Sequence, residues 1–176
     1  MTGKIFRNPF AALVLTFLPA LAAAWPVSAK PLLLEEFFRG QTIGKGVFKS
    51  DIAKVHRPFT VKLTGTWDPR SFTLRLREDF VYDDGERDTK TWFFQKVAED
   101  RYIGQRADVR GPAIVRRDAD GALRFTYVAD VETGDGPVAL RFNDTLEQVD
   151  ARTVRNRAHV VKLGFPVGTV DLTFTK

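Results

Sequence analysis

"FTLRLREDFVYDDG", residues 72–85, alternates with a period of two. Even positions carry Phe72, Leu74, Leu76, Glu78, Phe80 and Tyr82, while odd positions carry Thr73, Arg75, Arg77, Asp79, Val81 and Asp83. That period marks a strand with one face in a core and one in water. Glu78 breaks the rule, because it puts a carboxylate in the apolar row. The turn "DDG" that follows admits two readings. A three-residue loop, a type I turn with Gly85 in the left-handed position, sets Glu78 opposite Lys90, Leu76 opposite Trp92 and Leu74 opposite Phe94. A two-residue Asp84-Gly85 turn shifts the register by one, sets Thr91 opposite Glu78 and turns Trp92 and Phe94 to water. The apolar pattern favours the three-residue loop. The same reasoning at "DADG" (118–121) sets Val115 opposite Phe125 and Ala113 opposite Tyr127.

Outward from this hairpin, turn signals recur at short intervals and no helical period survives beyond "PLLLEEFF" (31–38), which reads as a short helix ending before Gly40. Strands are expected over 46–50, 58–67, 71–82, 86–97, 101–109, 112–117, 122–132, 137–148, 153–163 and 168–175. Inward faces follow from alternation: Phe59, Val61, Leu63, Gly65 and Trp67; Leu123, Phe125, Tyr127, Ala129 and Val131; Val138, Leu140 and Phe142; Val170, Leu172 and Phe174. Strands wet on one face and joined by short hairpins suit an all-β, antiparallel up-and-down barrel of about ten strands. A sandwich would need long crossover connections, and none is visible.

The first 29 residues read as a secretory signal peptide: Lys4 and Arg7, the apolar run "PFAALVLTFLPALAAAW", then Val27 and Ala29 before Lys30. Cleavage after Ala29 leaves residues 30–176, one domain, exported to the periplasm. The alternative is an uncleaved N-terminal helix that anchors the chain. Of 27 Lys and Arg only Lys4 and Arg7 fall in the leader, and none of the 22 acids does, so 25 cations face 22 anions and the mature charge is +3. That excess is too small and too interspersed to argue for nucleic acid. It is compatible with peripheral contact to anionic lipid. The absence of cysteine excludes disulfides, thiol catalysis and Cys-based metal sites.

Glu78 needs a partner if it faces a core, because a lone buried carboxylate is costly. Lys90 is the expected one. Asp144 falls on the inward face after Phe142, and Asn156 joins it if Val154, Ala158 and Val160 point inward. The expected interior is therefore a polar cluster of Glu78, Lys90, Asp144 and Asn156 amid Phe72, Phe80, Trp92, Phe125, Tyr127 and Phe142. An apolar interior with a few converging polar groups suits a small-molecule site. A satisfied network that fixes strand register accounts for the same residues equally well.

These residues resemble the DUF3833 family of uncharacterised proteobacterial envelope proteins, from about Phe37 to Phe174. The likeness is carried by "FFRG", "GKGVF", "REDFVYDDGER", "TW", "YIGQRADVRG", "FNDTLEQVD", "NRAHVVKLG" and "VGTVDLTF". It implies a small lipocalin-like barrel in the envelope, in a family whose members often resemble lipoproteins; it implies no chemistry. This chain departs from the pattern in three places. It has no lipobox cysteine, Lys90 stands where the family tends to have Arg, and Thr145 replaces a tryptophan of an acidic segment.

Other motifs give way to plainer readings. "GQTIGKG" (40–46) is one residue short of a phosphate loop and has no Ser or Thr after Lys45. "DADG" fails as a calcium loop, since Arg116 and Tyr127 would hold ligand positions. His56 and His159 have no second His or Cys at ligand spacing. Glu78 and Asp144 would serve acid–base hydrolysis if about 5–10 Å apart. No cofactor, no metal and no catalytic set is expected. The leading function is binding of a lipid-like or amphipathic small molecule inside the barrel. Next comes a filled, non-catalytic envelope barrel acting through its surface, and last a hydrolase using Glu78 and Asp144.

Overall fold

In the computed structural model, which describes residues 31–134 and 136–176, the chain runs from a short helix α1 (Leu34–Phe37) into ten strands. They are β1 (Gly40–Ser50), β2 (Val55–Asp68), β3 (Thr73–Tyr82), β4 (Arg87–Ala98), β5 (Arg101–Gln105), β6 (Ala113–Arg117), β7 (Leu123–Val131), β8 (Val138–Asp150), β9 (Thr153–Lys162) and β10 (Phe165–Thr175). Each strand pairs antiparallel with its chain neighbour, and β10 pairs with β1 to close the barrel. Closure removes every sheet edge but those at irregularities. The expected leader, residues 1–29, lies outside the described residues. No helix among the described residues is long and apolar enough to cross a membrane.

The β3–β4 hairpin takes the three-residue loop. Gly85 sits at φ 86°, its N–H donates to the Tyr82 carbonyl at 3.0 Å, and the Tyr82 N–H donates to the Glu86 carbonyl at 3.0 Å. Glu78 therefore lies opposite Lys90, Leu76 opposite Trp92 and Leu74 opposite Phe94. The β6–β7 hairpin keeps the expected phase, with Arg116 opposite Arg124 and Arg117 opposite Leu123, but its ladder stops there. The expected Val115–Phe125 and Ala113–Tyr127 ladder pairs do not form. The cause is the segment after Gln105, where the sequence reading continued a strand to 109. That segment crosses instead to β7, with Val109 bridging Ala129 and the Arg110 N–H donating to the Val128 carbonyl at 2.8 Å. A groove of about 390 Å³ opens in the wall beside this split, lined by Ile114, Arg116, Arg124, Phe125 and Thr126 among others.

β1 begins at Gly40, earlier than expected, because glycines that read as loop residues serve close packing. A Cβ on Gly44 would lie 2.7 Å from Val61 Cγ1 and 2.9 Å from Leu172 Cδ1. Phe72 is the other correction. β3 starts at Thr73, two residues later than expected, and Phe72 sits in the β2–β3 turn at φ 50°, 57% exposed, with its ring edge-on to Trp67 at 6.4 Å. Its carbonyl accepts from the Lys96 N–H at 2.7 Å, so the turn fixes its backbone and holds the ring outside.

The two barrel ends differ. At the end where β1 starts, Leu32, Leu34, Phe37 and Phe38 are buried and join one core with Leu63, Leu74, Phe94, Leu123 and Phe174. Burying each such side chain is worth about 1.5–3 kcal/mol, which a four-residue helix needs because alone it is too short to persist. The plug is also tied by polar contacts. Lys96 Nζ pairs with Glu35 Oε1 at 2.6 Å, Tyr102 donates to Glu35 Oε2 at 2.7 Å and accepts from the Leu34 N–H at 3.3 Å, and Arg117 donates to the Leu32 carbonyl at 2.8 Å. Burial works against the Glu35 charge, but the Lys96 and Tyr102 hydrogen bonds outweigh it and hold that carboxyl below its ordinary range. At the opposite end the inward residues Phe59, Phe80, Tyr82, Phe142 and Leu140 are only half-buried. That end is the more loosely covered one, the rim.

Candidate functional site

Alternation carries Glu78 on β3, Trp92 on β4, Tyr127 on β7, Asp144 on β8 and Asn156 on β9 to the barrel interior. Trp92 and Asp144 are buried at 4% and 5% exposure, and Tyr127 and Asn156 are half-buried. Rings form the apolar wall. Tyr127 stacks on Phe142 at 5.2 Å and on Phe125 at 5.7 Å, and it meets Trp92 edge-on at 5.2 Å. Phe80 belongs to a second ring group nearer the rim, with Phe59 at 5.7 Å and Tyr82 at 6.2 Å. Of the expected site residues, Phe72 lies outside the barrel, Phe80 joins the group nearer the rim and Lys90 turns to Asp88 and Asp108.

The expected Glu78–Lys90 ion pair does not form. Although the two residues are opposite, the Lys90 ammonium reaches Asp108 at 2.8 Å and Asp88 at 3.1 Å. The cation nearest Glu78 is Arg106, with Nη1 3.7 Å from Oε2. Arg106 forks onto Asp108 at 2.5 and 3.1 Å, and its guanidinium lies 4.6 Å from the Trp92 ring centre and 5.5 Å from that of Tyr127. The fork on a carboxylate is a contact that arginine makes and lysine cannot, and a guanidinium is the commoner cation over an indole. Tyr102, Gly104, Arg106 and Asp108 occupy alternate positions, so extending the inward face of β5 by two steps finds both missed residues.

The charges shift one another. Burial pushes the Glu78 carboxyl up to about 7, against the pull of Arg106 and Lys90. Burial likewise raises Asp144 to about 6, against the hydrogen bond that Asn156 Nδ2 donates to Asp144 Oδ1 at 2.7 Å. Asp108 goes the other way: hydrogen bonds from Arg106 and Lys90 overcome its burial and hold it low. Two acceptors in the cluster, Asp144 Oδ2 and Asn156 Oδ1, are buried and accept no well-formed hydrogen bond among the described residues, although the Tyr127 hydroxyl is near enough to Asp144 to help hold its carboxyl down. Unmade hydrogen bonds at buried acceptors are costly, so such atoms mark where a donor would bind with gain. No group of three or more His, Cys, Asp or Glu able to hold a metal occurs among the described residues.

A pH prediction follows. Glu78 rises from 4.5 to about 7 on folding, so its protonated form suits the native state. Its stabilising contribution is complete below the unfolded value and is lost as pH rises through 7. Between pH 5.5 and 8 the wild type is expected to lose roughly 2 kcal/mol relative to Glu78→Gln, as 1.36 kcal/mol accompanies each unit. Urea titrations of both proteins at the two pH values measure it; parallel pH dependences would refute the raised value.

Residues 21–176 match the model of one family, described as "Protein of unknown function (DUF3833)". No curated protein matches the chain. Among solved structures, a protein of unknown function from the DUF3598 family of Nostoc punctiforme matches with a TM-score of 0.57 and 15% identity. The match covers 88% of this chain and 53% of that one, so the chain spans about half its length. An S-type phycobiliprotein lyase from Guillardia theta matches with a TM-score of 0.56 and 14% identity over 81% of this chain and 91% of that one. At these identities the likeness is one of fold, that of lipocalin-like barrels. A designed fluorescence-activating β-barrel matches more loosely, with a TM-score of 0.42, 12% identity, and 81% and 96% of the two chains covered.

Proposed function

The chain belongs to the DUF3833 family, and within that family we propose that it is a binding protein of the bacterial envelope that holds an amphipathic, lipid-like small molecule in its barrel. The observation that carries this reading is the pair of undonated acceptors, Asp144 Oδ2 and Asn156 Oδ1, set among the Arg106 charge cluster and the Tyr127–Phe142–Trp92 rings. Acceptors without donors favour a ligand whose polar end carries hydroxyl or amino hydrogens. The half-buried rings between that cluster and the rim, Phe59, Phe80, Tyr82 and Phe142, offer the apolar part a surface that gains on covering. The plugged end leaves the rim as the way in. Glu78 lies beside Arg106 and Asp144 accepts from Asn156, so the cluster orients a molecule rather than attacking one, and the protein carries rather than converts. The leader read from residues 1–29 of the sequence supports export to the periplasm.

Native mass spectrometry of the protein purified from a periplasmic extract is expected to show an adduct of lipid-like mass. Trp fluorescence is expected to shift on titration with long-chain amines or acylglycerols, through Trp92 beside Arg106. The Asp144→Ala variant is expected to bind about tenfold more weakly, as loss of one buried hydrogen-bonded acceptor implies. Absence of an adduct together with unmoved fluorescence would end this reading.

A further inference from the structure

The rim carries an apolar feature that no contact among the described residues explains. Ile52 at the β1–β2 tip is 75% exposed, and Leu163 and Phe165 at the β9–β10 tip are 89% and 72% exposed. The two tips are neighbours, since β1 pairs with both β2 and β10, and Lys49 stands opposite both His56 and Thr169. Leu163 and Gly164 form the two-residue turn between Lys162 and Phe165, with φ values of 50° and 87°. Asn, Asp or Gly suits the first place of such a turn, and a leucine there is held in a left-handed conformation it resists. The chain thus places a strained leucine at a tip where nothing in the barrel covers it.

The surrounding charge is basic. Residues 49–54 and 162–166 hold Lys49, Lys54 and Lys162 against Asp51 alone. Lys54 and Lys162 are exposed and make no ion pair among the described residues. The acidic β3–β4 tip, with Asp83, Asp84 and Glu86, flanks the β1–β2 tip on its other side, where Arg57 of β2 pairs with Asp84 and Glu86, so the cations left without an ion pair, Lys54 and Lys162, lie with the apolar tips. We propose that this side of the rim docks on a bilayer bearing anionic lipid, with Ile52, Leu163 and Phe165 entering the headgroup region and Lys54 and Lys162 meeting its phosphates. Single apolar side chains on convex tips suit a deformable surface. A protein partner would need a broad complementary face of about 1,000 Å², which two hairpin tips do not provide. The docking is independent of whether the barrel carries a ligand.

Vesicle flotation of the purified protein tests it, with phosphatidylcholine alone and with about 30% phosphatidylglycerol added, a fraction that gives the surface a marked negative potential. The wild type is expected to float with the anionic vesicles and to be released by high salt. The triple variant Ile52→Ser, Leu163→Asn, Phe165→Ser is expected to bind at least about tenfold more weakly. Its Tm should not fall, since asparagine relieves the turn. Lys54→Glu with Lys162→Glu should lose the anionic preference. Equal flotation of wild type and triple variant overturns the proposal, as does failure of the wild type to float. A vesicle-free dimer abolished by the triple variant would make the tips a self-interface and likewise overturn it.

Discussion

Arg106→Met is expected to destabilise the barrel by about 3–5 kcal/mol at pH 8, the usual cost of removing one partner from a buried charge network. The arginine side chain is 10% exposed and is the cation nearest Glu78 and Asp108 at once. Methionine fills much of its volume and keeps a contact with Trp92, so the loss reports charge rather than a cavity. It leaves Glu78, Asp108 and Asp144 with Lys90 as the remaining neighbouring cation, and the carboxyls respond by holding their protons more tightly. The penalty should therefore shrink by about 1–2 kcal/mol at pH 5.5, where Glu78 and Asp144 are largely neutral already. Arg106→Lys should recover only part of it, since an ammonium cannot fork onto Asp108 as the guanidinium does. Urea unfolding at both pH values measures all three quantities. A loss below about 1 kcal/mol at pH 8 would mean that Arg106 does not hold the cluster together.

Gly65→Ala should be almost as damaging, through the opposite end of the barrel. A Cβ at position 65 would stand 1.9 Å from the Phe38 carbonyl oxygen and 2.8 Å from its carbon, and the obstacle is backbone rather than a side chain that can turn away. The segment after α1 crosses β2 at that point, with Arg39 bridging Gly65. Either the plug lifts or β2 bends. Overpacking of this severity is expected to cost about 3 kcal/mol or more, which lowers Tm by about 10 °C in a chain of this size. Hydrogen exchange should locate the damage: the amides of Glu36, Phe37 and Phe38, which bond within α1, should exchange faster while those of β3 and β4 hold. Uniform acceleration across the barrel would argue against a local plug.

Much of this architecture is legible along the chain, and the reason is local. A strand's two faces are set by alternate residues, so Leu74, Leu76 and Glu78 on one side and Arg75 and Arg77 on the other need no knowledge of neighbours. Register across the β3–β4 turn follows too, because a slip by one would turn Trp92 and Phe94 into water. What the pattern misjudges are places where a distant segment intervenes. Gly44 reads as loop because glycine weakens a strand, yet the closing pair β1–β10 needs its bare backbone beside Leu172 and Phe174. Phe72 reads as lining because it keeps the phase, yet the turn ends the strand before it.

The chain sequence determined the strands, their faces, the hairpin at Gly85 and the presence of a carboxylate inside. Tertiary structure alone decided which cation meets that carboxylate. Lys90 is adjacent to Glu78 on the ladder, but its long side chain turns to Asp108, and Arg106 arrives from beyond β5 to lie on Trp92. Alternation constrains backbones over two residues; the partner of a buried charge is chosen by side-chain reach across several strands, which only the closed barrel brings within a few ångströms.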